Sequence, residues 1–139
     1  MGFQISIEGA STIDLSVKTI EAVEFLADVP EDSNARSASL ATTMVIKGKI
    51  LTLFEGSEES LGLSEWSRVP TVDPDCYRKV TVKVIAAGQV VRQYVLSKAF
   101  VVDYTEEFDD ATGTGTYILM VRQKKDNVDE VEISGGFSA

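Results

Sequence analysis

Residues 79–96, KVTVKVIAAGQVVRQYVL, decide the fold class. Val80, Val82 and Val84 alternate with Lys79, Thr81 and Lys83. A period of two buries one set of side chains and leaves the other in water, which marks a half-buried strand. Ala87-Gly88 interrupts the run as a hairpin turn, and Val90 to Leu96 returns antiparallel.

The same period extends outward in both directions. Toward the C-terminus, Phe100, Val102 and Tyr104 continue the alternation. A polar stretch at 105–115 then leads into a strand from Tyr117 to Gln123, a turn at Lys125-Asp126-Asn127, and a last strand from Val128 to Ile133. Toward the N-terminus, Phe3, Ile5 and Ile7 form one strand, closed by Gly9-Ala10, and Ile13, Leu15 and Val17 form the next. Val23, Phe25, Ala27 and Val29 also alternate, although Ile20, Val23 and Leu26 suit a helical face; β-branched content and Pro30 favour a strand. Residues 30–39, PEDSNARSAS, are a long polar loop, followed by an apolar segment from Leu40 to Phe54 in which Gly48 marks a bend or bulge. The one helix signal is Ser57-Glu58-Glu59, a capping serine with acids in the first turn, and it predicts a helix over 57–68 that stops before Pro70. Leu61, Leu63 and Trp66 offer its apolar side, and Pro70 to Asp75 reads as a turn-rich connector. The expectation is a mainly β single domain over 1–139: an antiparallel β-barrel or two packed sheets with one short flanking helix.

Composition narrows the chemistry. Among 139 residues there is no histidine and one cysteine, Cys76. Nucleophile systems that need His, and zinc sites built on His, are therefore excluded, as are an internal disulfide and a four-thiolate site. Lys and Arg number 13 against 22 Asp and Glu, a net charge of −9, which repels phosphate backbones and argues against specific nucleic-acid binding. The opening MGFQIS has no basic stretch followed by an apolar core, and no apolar run approaches the roughly 18–20 residues needed to cross a bilayer. Cytoplasmic synthesis without membrane insertion is the expectation, and the single thiol suits a reducing compartment.

The remaining chemical candidates have plain readings. Glu106, Glu107, Asp109 and Asp110 lack the spaced ladder and distal Glu of a calcium loop, so they read as solvated charge. Carboxylate pairs suited to glycosidase chemistry arise by chance in so acidic a chain. Gly113-Thr114-Gly115 precedes a strand rather than a helix and cannot cradle phosphate at a helix N-terminus. Asp73-Pro74-Asp75 is turn chemistry, Cys76 a small strand-entry hydrophobe despite the neighbouring Arg78, and Trp66 a core or interface anchor. No catalytic residue, cofactor or metal is expected.

The whole layout resembles the tail-tube family: the tube proteins of contractile phage tails and phage-like particles, and the haemolysin-coregulated protein of type VI secretion. The resemblance rests on early strands broken by a long polar loop, a mid-chain helix, and the hairpin Tyr77–Leu96. It is completed by the segment 94–104, YVLSKAFVVDY, then a loop, then the closing strand 115–123, GTYILMVRQ. It implies a non-enzymatic structural subunit, a β-barrel with one flanking helix, six copies closing into a ring, and rings stacking into a hollow tube within a phage-like or secretion particle. Partners would be copies of the chain itself, with sheath or baseplate proteins beside them. The candidate interface residues are then Pro30, Glu31, Asp32, Asn34, Arg36 and Ser39 of the first loop, and Glu106, Glu107, Asp109 and Asp110 of the second. The alternative is a β-barrel or sandwich module binding a small ligand or carbohydrate on a concave face with Tyr77, Tyr94, Tyr104 or Tyr117.

Overall fold

The computed structural model describes residues 1–28, 41–50 and 59–136. The strands are β1 (Gly2–Glu8), β2 (Thr12–Leu15), β3 (Ile20–Asp28), β4 (Ala41–Ile50), β5 (Arg78–Ala86), β6 (Gln89–Asp109), β7 (Thr114–Gln123) and β8 (Glu132–Gly135), with one α-helix, α1 (Leu61–Ser67). They form one antiparallel sheet in the order β2-β1-β5-β6-β7-β4-β3, with β8 on β6. The 21-residue β6 organises it: its first half pairs with β5 and its second half with β7, so the sheet is staggered about this strand. The hairpin read from the sequence is present, and Ala87 (φ 53°) and Gly88 (φ 75°) both take the left-handed conformation that a two-residue turn between twisted strands requires.

The sheet curls without closing into a barrel, since β2 and β3 remain its two edges. An extra residue at Val102, where the β6–β7 register shifts between Val101 and Asp103, sharpens the twist. The curl brings β3 back over the first strands, so that the Phe25 ring stacks on Tyr94 of β6 at 4.8 Å. Ile5, Ile7, Met44, Ile46, Val80, Val82, Leu96, Leu119 and Val121 fill the space inside, all at most 2% exposed. Closure fails because β2 has only four residues and the chain turns away directly after it. The Thr19 carbonyl in that turn accepts from Lys49 N–H of β4 (2.9 Å) and from the Tyr117 hydroxyl (3.1 Å). Helix α1 sits against β2, where Ile13 meets Gly62, and sends Leu63 and Trp66 into the core.

Several boundaries differ from the sequence reading. The helix starts at Leu61, with Ser60 before it making no side-chain cap, and Ser57 and Glu58 lie outside the described residues. Glu59 does not serve the helix terminus; its carboxylate accepts from Ser16 N–H and the Thr19 hydroxyl, 2.9 Å each, and ties the helix entry to the β2–β3 corner. β2 ends at Leu15, leaving Val17 exposed in the turn. The polar stretch 105–115 is not a loop: β6 runs through Asp109, and only the turn around 110–113 separates it from β7. Pairing with β7 supplies the backbone hydrogen bonds, so charged side chains stand on a strand whose outer neighbours are solvent. The segment assigned to a last strand from Val128 is largely a 3₁₀ turn (Lys125–Glu130), and β8 begins only at Glu132.

Candidate assembly surface

The β6–β7 hairpin carries the exposed chemistry. Residues facing each other across antiparallel strands share a face, so Tyr104, Glu106 and Phe108 lie with Leu119, Tyr117 and Gly115, on the inward side. Glu107 pairs with Thr116 on the opposite side. Glu106 is thus turned away from the other three acids, while Glu107, Asp109 and Asp110 line one shallow pocket with Thr114 and Thr116. The Glu106 carboxylate accepts from the Tyr104 hydroxyl at 2.6 Å, and Asp109 Oδ1 accepts from Ala111 N–H at 2.9 Å to hold the turn. Among the described residues no group of three or more Asp, Glu, Cys or His could hold a metal ion. β7 stays paired with β4 as far as Ile50–Gly115, so among the hairpin's described residues only the outer edge of β6 beyond Val101 and the turn at 110–113 lack a second strand. Phe108 lies over Gly115 yet is 66% exposed, and Ile118 on the outer face is 43% exposed.

The other end of the hairpin is basic. Arg122, Lys124 and Lys125 fall within four residues, beside Lys98 at the same end of β6. Gln123, only 2% exposed, fixes this end: its Oε1 accepts from Lys98 N–H (3.0 Å), and its Nε2 donates to Ser97 Oγ (2.9 Å) and the Asn127 carbonyl (2.7 Å). The Ser97 hydroxyl donates in turn to Glu130, and this bond, with one from Asn127, holds the Glu130 carboxyl below its ordinary pKa. A pocket here is lined by Tyr77, Phe100, Arg122, Lys124 and Lys125 together with Ala41 and Gln123. The Lys124 ammonium stands 5.1 Å from the Tyr77 ring centre, Tyr77 meets Phe100 edge-on at 6.0 Å, and Arg122 Nε donates to Thr43 Oγ1 at 3.1 Å. Lys124-Lys125 is a basic pair in the sequence itself, and Arg122 joins it across the buried Gln123.

A buried brace behind the pocket positions β5. Arg78, 6% exposed, pairs with Asp75 at 2.5 Å and lies under the Trp66 ring at 5.5 Å, while Trp66 Nε1 donates to the Cys76 carbonyl. The Arg78 hydrogen bond, then that from Ala10 N–H, holds the Asp75 carboxyl below the ordinary carboxylate pKa. Asp73 caps the 3₁₀ turn Pro74–Cys76, as its sequence suggested, and Cys76 is buried there. Burial of Tyr117 raises its phenol far above the usual range, so it is a neutral donor at any physiological pH.

Three of the four tyrosines pack on the core side, and Tyr77 stands apart from them, so they form no common binding face. Tyr117 is in the core with Tyr104 tilted against it, Tyr94 stacks on Phe25, and Tyr77 stands at the basic pocket. A groove over the outer face of β1, β2 and β5 is lined by polar residues including Gln4, Asp14, Lys79 and Lys83, with no aromatic ring among its described lining. A carbohydrate site built on stacked aromatics has no platform there. The first loop, with Pro30, Glu31, Asp32, Asn34, Arg36 and Ser39, lies outside the described residues. No helix among the described residues is long and apolar enough to cross a membrane.

No family model and no curated protein sequence matches the chain. Solved structures do, along nearly the whole of both chains. The chain is similar to a component of the anti-feeding prophage baseplate in a six-fold symmetrised structure, at TM-score 0.59 and 12% identity over 96% of this chain and 93% of that one. It is similar to a component of the PVC sheath–tube complex of an extracellular contractile injection system, at TM-score 0.59 and 17% identity over 97% and 89%. It is also similar to Hcp1 from Flavobacterium johnsoniae, at TM-score 0.55 and 19% identity over 98% and 99%. The chain has the tail-tube, Hcp-like fold.

Proposed function

We propose that the chain is a non-enzymatic structural subunit whose rings stack into the inner tube of a phage tail or contractile injection particle. One observation carries this reading: the likeness to Hcp1 spans 98% of this chain and 99% of that one, so the common architecture is the entire domain. An open sheet with two edges, an exposed hairpin tip and no metal-binding cluster among the described residues suits assembly. The ring is a homohexamer by analogy with the family, made in the cytoplasm and then incorporated into the particle, with sheath or baseplate proteins as further partners. The 30–39 loop reaches a neighbouring copy, Arg36 meeting an acidic group there.

Negative-stain microscopy and light scattering on concentrated protein test the proposal. Rings or short tubes are the expected result. A monomer at every concentration, with no assembly alongside tail partners, would overturn it.

A further inference from the structure

The β6–β7 hairpin has opposite charge at its two ends. The tip carries Glu106, Glu107, Asp109 and Asp110 around the exposed Phe108, and the root carries Arg122, Lys124 and Lys125 around Tyr77 and Phe100. The ten residues of β7 separate them by roughly 30 Å at about 3.4 Å per residue. Among the described residues the three root cations have no carboxylate within salt-bridge distance: the only ion pairs there are Arg78–Asp75 and Lys79–Glu8. At the tip, the side chains of Glu107 and Asp110 make no hydrogen bond with any described residue, whereas the Glu106 carboxylate accepts from Tyr104 and Asp109 Oδ1 holds the turn. An exposed phenylalanine between acids, and an aromatic-floored pocket rimmed by cations that pair with no carboxylate among the described residues, are complementary in shape class and in charge.

We infer that the hairpin tip of one copy docks in the basic pocket of the next, with Phe108 against Tyr77 and Phe100, and Glu107 and Asp110 against Lys124 and Lys125. A contact between opposite ends of one element is head-to-tail, so any joined set of copies keeps one free tip and one free pocket until it closes, and assembly propagates. The inference rests on the reading of the chain as a self-assembling tube subunit and names the contact by which copies join.

A charge-swap experiment on the full chain tests it. Glu107→Lys/Asp110→Lys changes the net charge from −9 by +4 to −5. Lower net charge alone would ease self-association, whereas the docking contact requires the concentration for half-assembly to rise by about tenfold or more. Lys124→Glu/Lys125→Glu should have the same effect, and an equimolar mixture of the two variants should recover assembly. Glu65→Lys/Glu132→Lys, on exposed positions away from both the hairpin tip and the β2 and β3 edges, controls for net charge and should neither block assembly nor rescue the Lys124/Lys125 variant. Phe108→Ser should weaken assembly without any charge change. Circular dichroism confirms that each variant is folded. Normal assembly of both reversed variants, or failure of the mixture to recover, overturns the docking contact while leaving the tube reading in place. A wild-type chain that never assembles overturns both.

Discussion

Gly48→Ala is the most demanding test of how the sheet corner is built. In an ordinary exposed strand this change stabilises by roughly 0.5–1 kcal/mol, because glycine loses more backbone freedom on folding. Here the added methyl would stand 1.9 Å from the Thr19 carbonyl oxygen and 2.4 Å from the Tyr117 hydroxyl, well inside contact distance. The carbonyl cannot retreat freely, because it holds the hydrogen bonds from Lys49 N–H and Tyr117. Overpacking costs about 1–3 kcal/mol, and each buried hydrogen bond stretched or lost adds about 1 kcal/mol. We expect a net loss of about 3 kcal/mol, near 10 °C in melting temperature for a domain of this size. Urea unfolding monitored through Trp66 measures it. Tyr117→Phe alone should cost about 1 kcal/mol, since Thr19 keeps its bond from Lys49. Combined with Gly48→Ala it should cost less than the sum, because the missing hydroxyl gives the methyl part of its space. A Gly48→Ala variant as stable as wild type, or two strictly additive changes, would refute the close-packed corner.

Ala87→Asn should raise stability by about 1 kcal/mol, because asparagine tolerates the left-handed backbone that alanine occupies at φ 53°; a loss in thermal unfolding would mean the turn is of another type. Asp75→Asn should destabilise by about 2 kcal/mol at neutral pH by leaving Arg78 under Trp66 without its anion. Because the folded-state pKa of Asp75 is depressed, its stabilisation is present above the ordinary aspartate pKa of about 3.9 and is lost as pH falls through the folded value. The gap between wild type and variant should therefore be flat above about pH 5 and close in acid; a gap that widens in acid would contradict the pairing. Arg36→Glu should leave the fold intact in circular dichroism but weaken assembly in sedimentation, and unchanged sedimentation would remove the first loop from the interface.

Alternation alone determined the β-class, the Ala87-Gly88 hairpin and most core positions, because a strand's period is imposed locally by its pleat. Ile5, Ile7, Val80 and Val82 were legible as core for that reason. The absence of histidine was equally legible, and it removed most catalytic and metal chemistry before any geometry was known. The continuation of β6 through 105–109 was not, because strands in water carry the same polar residues as loops, and only pairing with β7 distinguishes the two. Nor could the sequence show that Glu59 ties down Ser16 and Thr19, 43 and 40 positions away along the chain. The open seam between β2 and β3, the enforced glycine at 48 and the opposite charges at the two ends of one hairpin were decided by the tertiary structure. Each depends on how distant segments meet, and the local backbone preferences that a sequence pattern records contain no information about that distance.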